Sequence, residues 1–267
     1  MNTVFEGDLA RMQVVDDRPV AYRLGEHLEM NSLLGRCLAL AYTGRMHCRI
    51  CGRECEKLYG EGYCYPHFRA DPANAPCVVR PELCEAHEGR GRDPAWESAH
   101  HDQPHVVYLA NSGGLKVGVT REANLPTRWI DQGAAAAIEL ARTPYRQLAG
   151  RIEVVLKSHV SDRTRWRRML TGSDDPAVDL LAARDHVAAL LEPELAAYLT
   201  SLASVREFVY PELGTPNKLT TVSLSKAGGV TGRLVALRGQ YLVFEDGRAL
   251  NVRRHTGFEV RLELSGD

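Results

Sequence analysis

The sequence predicts an α+β protein of several parts: a β-rich domain drawn from both chain ends, a zinc-bound insertion, and a central α/β module. Three observations carry this expectation. Period-two apolar runs fill the first 45 residues and return from about 205. Six of the seven cysteines fall between positions 48 and 84. Between these regions, strand-like and helix-like periodicities alternate. The expected segments are a β-rich 1–45, a Cys/His stretch over 46–104, an α/β module over 105–172, a helical stretch over 173–204, and a β domain over 205–267.

In the first segment, "RPVAYRL" and "LLGRCLALAYTG" are apolar runs bounded by glycine, as strands are. The second contains Pro66, Pro72, Pro76, Pro81, Pro94 and Pro104, so no long helix can run through it. In the third, "VVYLA", "SGG" and "LKVGV" read as strand, turn and strand, and "AAAAIELART" offers a third strand, or a helix end running into one. "YRQLAGRIEVVLKSH" puts Leu148, Ile152, Val155 and Leu156 at helical spacing. Asp175 and Pro176 predict a helix start, and Pro193 a break into two helices. In the last segment, Asp246-Gly247 predicts a hairpin with a type I′ turn.

No run of eighteen apolar residues occurs, so no membrane span is expected. The opening "MNTVFEGDLARMQVV" lacks a basic stretch followed by an apolar one, and a cytoplasmic protein is expected. In that setting, clustered cysteines point to metal rather than disulfides. Cys48-x2-Cys51 and Cys64-x2-His67 are separated by twelve residues. Each pair fits a tight turn, and two turns close a tetrahedral Zn²⁺ site. Four protein ligands leave no open position, so this zinc is structural. Cys77, Cys84 and His87 form a second set, with Cys55, His100, His101 or His105 as candidate fourth ligand. Buried thiols beside a surface histidine would explain that set equally simply.

The central module carries residues suited to phosphodiester chemistry. Tyr108 lies on the first hairpin strand, Lys116 and Gly118 share a face of the second, Arg128 follows on a helix, and Glu153 on a later one. A carboxylate can hold Mg²⁺ or Mn²⁺, cations can offset phosphate charge, and a phenol can orient or deprotonate a nucleophile. The stretch resembles the GIY-YIG nuclease superfamily, over about 65 residues. "VVYL" stands at the first motif and keeps Tyr108. "KVG" stands at the second, with Lys116 where the family has tyrosine. "NLPTRW" matches the third and gives Arg128, while the family's helix histidine falls at Gln132. "AGRIEVVLK" is similar to the metal-binding helix and gives Glu153. The resemblance implies a metal-dependent nuclease or phosphodiesterase, and the changes at Lys116 and Gln132 bear on whether it cuts. The whole layout also looks like that of a bacterial family with no assigned activity, which implies architecture alone.

The net charge of −1 excludes a uniformly basic surface, yet arginines cluster locally. Arg165, Arg167 and Arg168 in "DRTRWRRML" suit a phosphate-gripping face, or a helix with Trp166 in the core and solvated arginines. Arg253 and Arg254, with Arg238 and Tyr241, suit a nucleic-acid platform on strands, or an ordinary small barrel with a basic face. DNA or RNA is the expected partner. Two other functions fit: a zinc-stabilised nucleic-acid-binding protein without catalysis, and an enzyme on a small phosphorylated or nucleotide-like substrate.

Overall fold

The computed structural model describes residues 2–172, 178–201 and 204–264. They form two compact units: Met1–Arg69 with Val209–Asp267, and Ala70–Phe208. The Cys/His stretch, expected as one piece, is therefore divided near position 70.

The first unit opens with β1 (Asn2–Asp8), then β2 (Gln13–Val15), β3 (Ala21–Leu24) and β4 (Leu28–Glu29), and then the long β5 (Cys37–Met46). Strands β2, β3 and β4 form a small antiparallel sheet. Tyr22 and Leu24 point into the core from β3, with Ala21 and Arg23 on the other face, as the period of two requires. Asn31 pins this sheet: its Oδ1 accepts from the Tyr22 amide at 2.9 Å and its Nδ2 donates to the Val20 carbonyl at 2.9 Å. Helix α1 (Tyr65–Ala70) follows the first cysteine pair.

In the second unit, α2 (Pro76–Val79) and α3 (Pro94–His101) precede the hairpin β6 (His105–Asn111) and β7 (Leu115–Arg121). Asp93 caps α3 by accepting from the Trp96 amide at 3.0 Å, and Pro94 takes its first position. Next come α4 (Thr127–Asp131), β8 (Ala136–Thr143), α5 (Arg146–Lys157), α6 (Trp166–Leu170), α7 (Leu180–Ala188), α8 (Pro193–Ala196) and β9 (Arg206–Glu207). The sheet is antiparallel in the order β7-β6-β8-β9. One face of the hairpin gives Val107, Leu109 and Val117 to a core filled by Leu148, Ala149, Ile152 and Leu156 of α5. The run "AAAAIELART" is thus the third strand, and the spacing of α5 follows its apolar stripe. Asp175 and Pro176 lie outside the described residues. Helix α7 begins at Leu180, where Asp179 accepts from the amides of Leu181 and Ala182. Pro193 opens α8, which separates the two helices as expected.

The chain then completes the first unit with β10 (Thr220–Thr221), α9 (Leu224–Ala227), β11 (Gly229–Arg238), β12 (Tyr241–Phe244), β13 (Arg248–Asn251) and β14 (Phe258–Leu264). The sheet order is β1-β14-β5-β11-β12-β13-β10, so strands from both chain ends interleave. It is an open sheet edged by β1 and β10, not a closed barrel. Leu38, Leu40, Leu234, Leu242, Phe244, Leu250, Val260 and Leu262 form its buried side. The β12–β13 hairpin exists, but its turn is not type I′. Among the described residues no non-glycine has positive φ, and only Gly247, at +86°, provides it. Three residues, 245–247, connect the strands, the arrangement in which glycine takes the left-handed position. No helix among the described residues is long and apolar enough to cross a membrane.

Candidate functional site

The first cysteine pair sits on a tight turn. The Gly52 amide donates to the Cys48 carbonyl at 2.8 Å, and Gly52 takes φ +66°. Cys64 and His67 come from the start of α1. The ligand atoms of Cys48, Cys51, Cys64 and His67 all lie within 4.8 Å of one another. His67 Nδ1 is 3.1 Å from Cys64 Sγ and 3.5 Å from Cys48 Sγ. Bonds of about 2.0–2.3 Å around tetrahedral zinc imply ligand separations of roughly 3.5–3.8 Å, so the donor set and spacing suit that ion. Burial raises the Cys48 thiol, but backbone amides of Cys64, Cys51 and Ile50 outweigh it and hold it at about 6, which favours a thiolate ligand.

The second cluster differs from the expected one. Its members are Cys77, Cys84, Glu97 and His101, all buried and within 4.8 Å of one another. His87 is elsewhere: its ring stacks on Tyr145 with centroids 4.2 Å apart. Of the other candidates for a fourth ligand, Cys55 donates to the Arg53 carbonyl. His100 stacks on Trp96, and His105 is bound to the Gln103 carbonyl. His101 is the expected fourth-ligand candidate that does join the cluster; the ligand not read from the sequence is Glu97, which stands at Glu97-x3-His101. That spacing puts both side chains on one face of α3, as the structure has them. Gly91 makes room for the carboxylate, since a Cβ there would lie 2.5 Å from Glu97 Cδ. Two thiols, an imidazole and a carboxylate form a donor set for a zinc-class ion, and both clusters can hold such a metal.

The expected catalytic residues come together in the second unit. Tyr108 on β6 pairs across the strands with Gly118 on β7. A Cβ at Gly118 would lie 2.6 Å from the phenol oxygen, so that glycine makes room for the Tyr108 ring rather than for a ligand. The phenol donates to Gln132 Oε1 at 3.0 Å, and the Arg128 guanidinium is near enough to pull its pKa down against the larger effect of burial. Gln132, at the end of α4, thus completes the tyrosine's surroundings. Trp129 packs edge-on, with centroids 6.0 Å away. Tyr108 is fully buried, and that burial pushes its hydroxyl above the usual phenol range. It stays protonated at neutral pH, so it can orient a neighbour but cannot act as the base.

Lys116 is also buried, 5% exposed. Burial and then Arg128 push its ammonium down to about 8, against the pull of Glu153 and Asp162. Glu153 is 7% exposed, and burial raises its carboxyl against the opposing charge of Lys157, whose ammonium is 3.1 Å away. Lys157 also meets Asp162 at 3.6 Å, so one ammonium bridges two carboxylates. Lys157 and Asp162 were not singled out from the sequence; only their place one turn and a loop beyond Glu153 hinted at them.

The basic clusters fare differently. Arg165, Arg167 and Arg168 are exposed on and just before α6, while Met169 and Leu170 of that helix are buried. Trp166 is half-buried, not in the core, and carries the Arg167 guanidinium 4.4 Å above its ring. The helix is seated on the hairpin turn, where a Cβ at Gly113 would lie 2.6 Å from the Arg165 carbonyl oxygen. In the first unit, Arg253 and Arg254 lie on a 3₁₀ turn rather than on a strand, and Arg253 is bound to Glu61. Tyr241 is 8% exposed and Arg238 covers Tyr210, so the expected stacking platform is not formed by these residues.

No curated protein and no solved structure matches the chain. Residues 35–260 match a family model described as "Protein of unknown function (DUF2797)", and the chain belongs to that family.

Proposed function

We propose that the second unit is a GIY-YIG-like, metal-dependent phosphodiester-cutting module acting on DNA or RNA. The observation that carries this reading is that Arg128 and Glu153, from two helices, each lie near enough to act by charge on both Tyr108 and Lys116, from two strands, with Tyr108, Lys116 and Glu153 buried. The order hairpin, helix, later helix is the order in which the resembled superfamily presents these groups.

Glu153 and Asp162 fit a divalent ion, since one cation, the Lys157 ammonium, already spans both carboxylates. Hard oxygen donors of this kind suit Mg²⁺ or Mn²⁺. Such an ion would supply charge neutralisation at the scissile phosphate. Lys157 would be released from Glu153 and Asp162 when such an ion binds. Arg128 is half-buried, which leaves part of its fork for a phosphate oxygen beside Tyr108. Lys116 titrates at about 8 and stands where the family has its second tyrosine; its neutral form is the group here suited to take the proton of an attacking water. Tyr108 stays sealed and protonated beside Arg128. Arg165, Arg167 and Arg168 would hold the flanking backbone.

Two observations favour a second reading, binding without cutting. Glu153 is engaged by Lys157, and Tyr108 has no exposed surface. Incubation of the full chain with labelled single- and double-stranded DNA and RNA plus Mg²⁺ or Mn²⁺ separates the two. Cleavage abolished by Glu153→Gln supports the first. Salt-sensitive binding with no cleavage supports the second.

A further inference from the structure

The second cysteine cluster is wired to the helix that carries Glu153. Arg146, in the first turn of α5, donates from Nε to the Cys77 carbonyl at 3.0 Å and from Nη2 to the Val78 carbonyl at 2.9 Å. One turn on, Gly150 lets the same loop touch the helix. A Cβ there would lie 2.2 Å from the Glu82 amide nitrogen and 2.4 Å from the Pro81 carbonyl carbon. Positions 146, 150 and 153 follow at i, i+4 and i+7, so the loop and Glu153 share one stripe of α5. Cys77 and Cys84 bracket the backbone that α5 rests on.

The loop has little else to hold it. Val79 is 80% exposed, and Val78 and Leu83 are also exposed. Its buried core consists of Ala75, Cys77, Cys84 and Ala86. A segment with so small an apolar core needs a staple.

We propose that a zinc-class ion bound by Cys77, Cys84, Glu97 and His101 locks this loop onto α5 and so sets the position of Arg146 and Glu153. With four protein ligands it has no open position for substrate, and its role is positioning. The set has one thiolate fewer than the first cluster and a hard carboxylate instead, so this ion is the more easily withdrawn. The consequence for cutting rests on the phosphodiesterase reading; the mechanical link does not.

The test combines zinc content with hydrogen exchange on the full chain. The wild type should hold two equivalents. Stepwise chelation should remove the first equivalent together with protection over Arg146–Lys157, with exchange there rising about tenfold or more while β6 stays protected. Zinc added back should restore it. His101→Ala should hold one equivalent and show the same local loss, whereas Cys64→Ser should lose its equivalent with α5 still protected. Arg146→Met should keep both equivalents and loosen α5. Unchanged α5 exchange after loss of the second-cluster metal would overturn the proposal. So would one equivalent in the wild type that His101→Ala does not reduce, or loss of α5 and β6 protection in one step. None of these readouts depends on cleavage, so an inactive protein leaves the outcome intact.

Discussion

Replacement of Lys116 by methionine separates a lysine kept for chemistry from one kept for stability. In the folded chain its ammonium titrates at about 8, against 10.5 ordinarily, with burial the leading cause. At about 1.4 kcal/mol per pH unit, that gap corresponds to a folding cost of about 3 kcal/mol. The folded state binds this proton less tightly than the unfolded chain. The cost is therefore full below pH 8, shrinks between 8 and 10.5, and vanishes above. Methionine fills a similar volume without the charge, and Glu153 keeps Lys157 as its partner. Urea unfolding at pH 7 should show Lys116→Met more stable than the wild type by about 1–3 kcal/mol, with the curves converging toward pH 10.5. Cleavage of a phosphodiester probe should fall at least tenfold. A variant less stable than the wild type at pH 7, or a difference that does not change with pH, would refute the reasoning. Lys116 would then be a structural ion pair.

Gly118→Ala drives a methyl group into the Tyr108 phenol and should cost about 1–3 kcal/mol in urea unfolding, with binding lost alongside. His105 is held at about 4 by burial, below its ordinary 6.5, so its contribution is present above pH 6.5 and is lost as pH falls toward 4. Acid unfolding of His105→Leu should be flatter across that window, and an unchanged slope would remove His105 as the cause. Cys64→Ser should release one zinc equivalent and lower the thermal midpoint of the first unit; retention of the metal would contradict the four-ligand site.

Much of this was legible in the chain. Cysteine spacing identified the first cluster because both pairs are local turns, and short-range geometry is written in sequence. The strand and helix runs around Tyr108 and Glu153 showed through their periods. What failed depended on distant partners. His87 stands near Cys84 in the sequence, but Tyr145 claims its ring, while Glu97, carried on the same helix as the expected candidate His101, is brought to the cysteines from ten residues further on. Gly118 reads in the sequence as a small residue on the Lys116 face; that it makes room for the Tyr108 ring depends on the facing strand. Arg253 looked available until Glu61, nearly two hundred positions away, bound it. Asp246 could not signal its own turn type, since loop length decided it.

The most direct test of the central claim is cleavage of labelled nucleic acid by the full, zinc-loaded chain with Mn²⁺ or Mg²⁺, compared with Glu153→Gln. The site described here predicts metal-dependent strand cleavage that falls at least a hundredfold in the variant. Cleavage equally strong in Glu153→Gln would contradict it, and so would none on any DNA or RNA substrate in either metal.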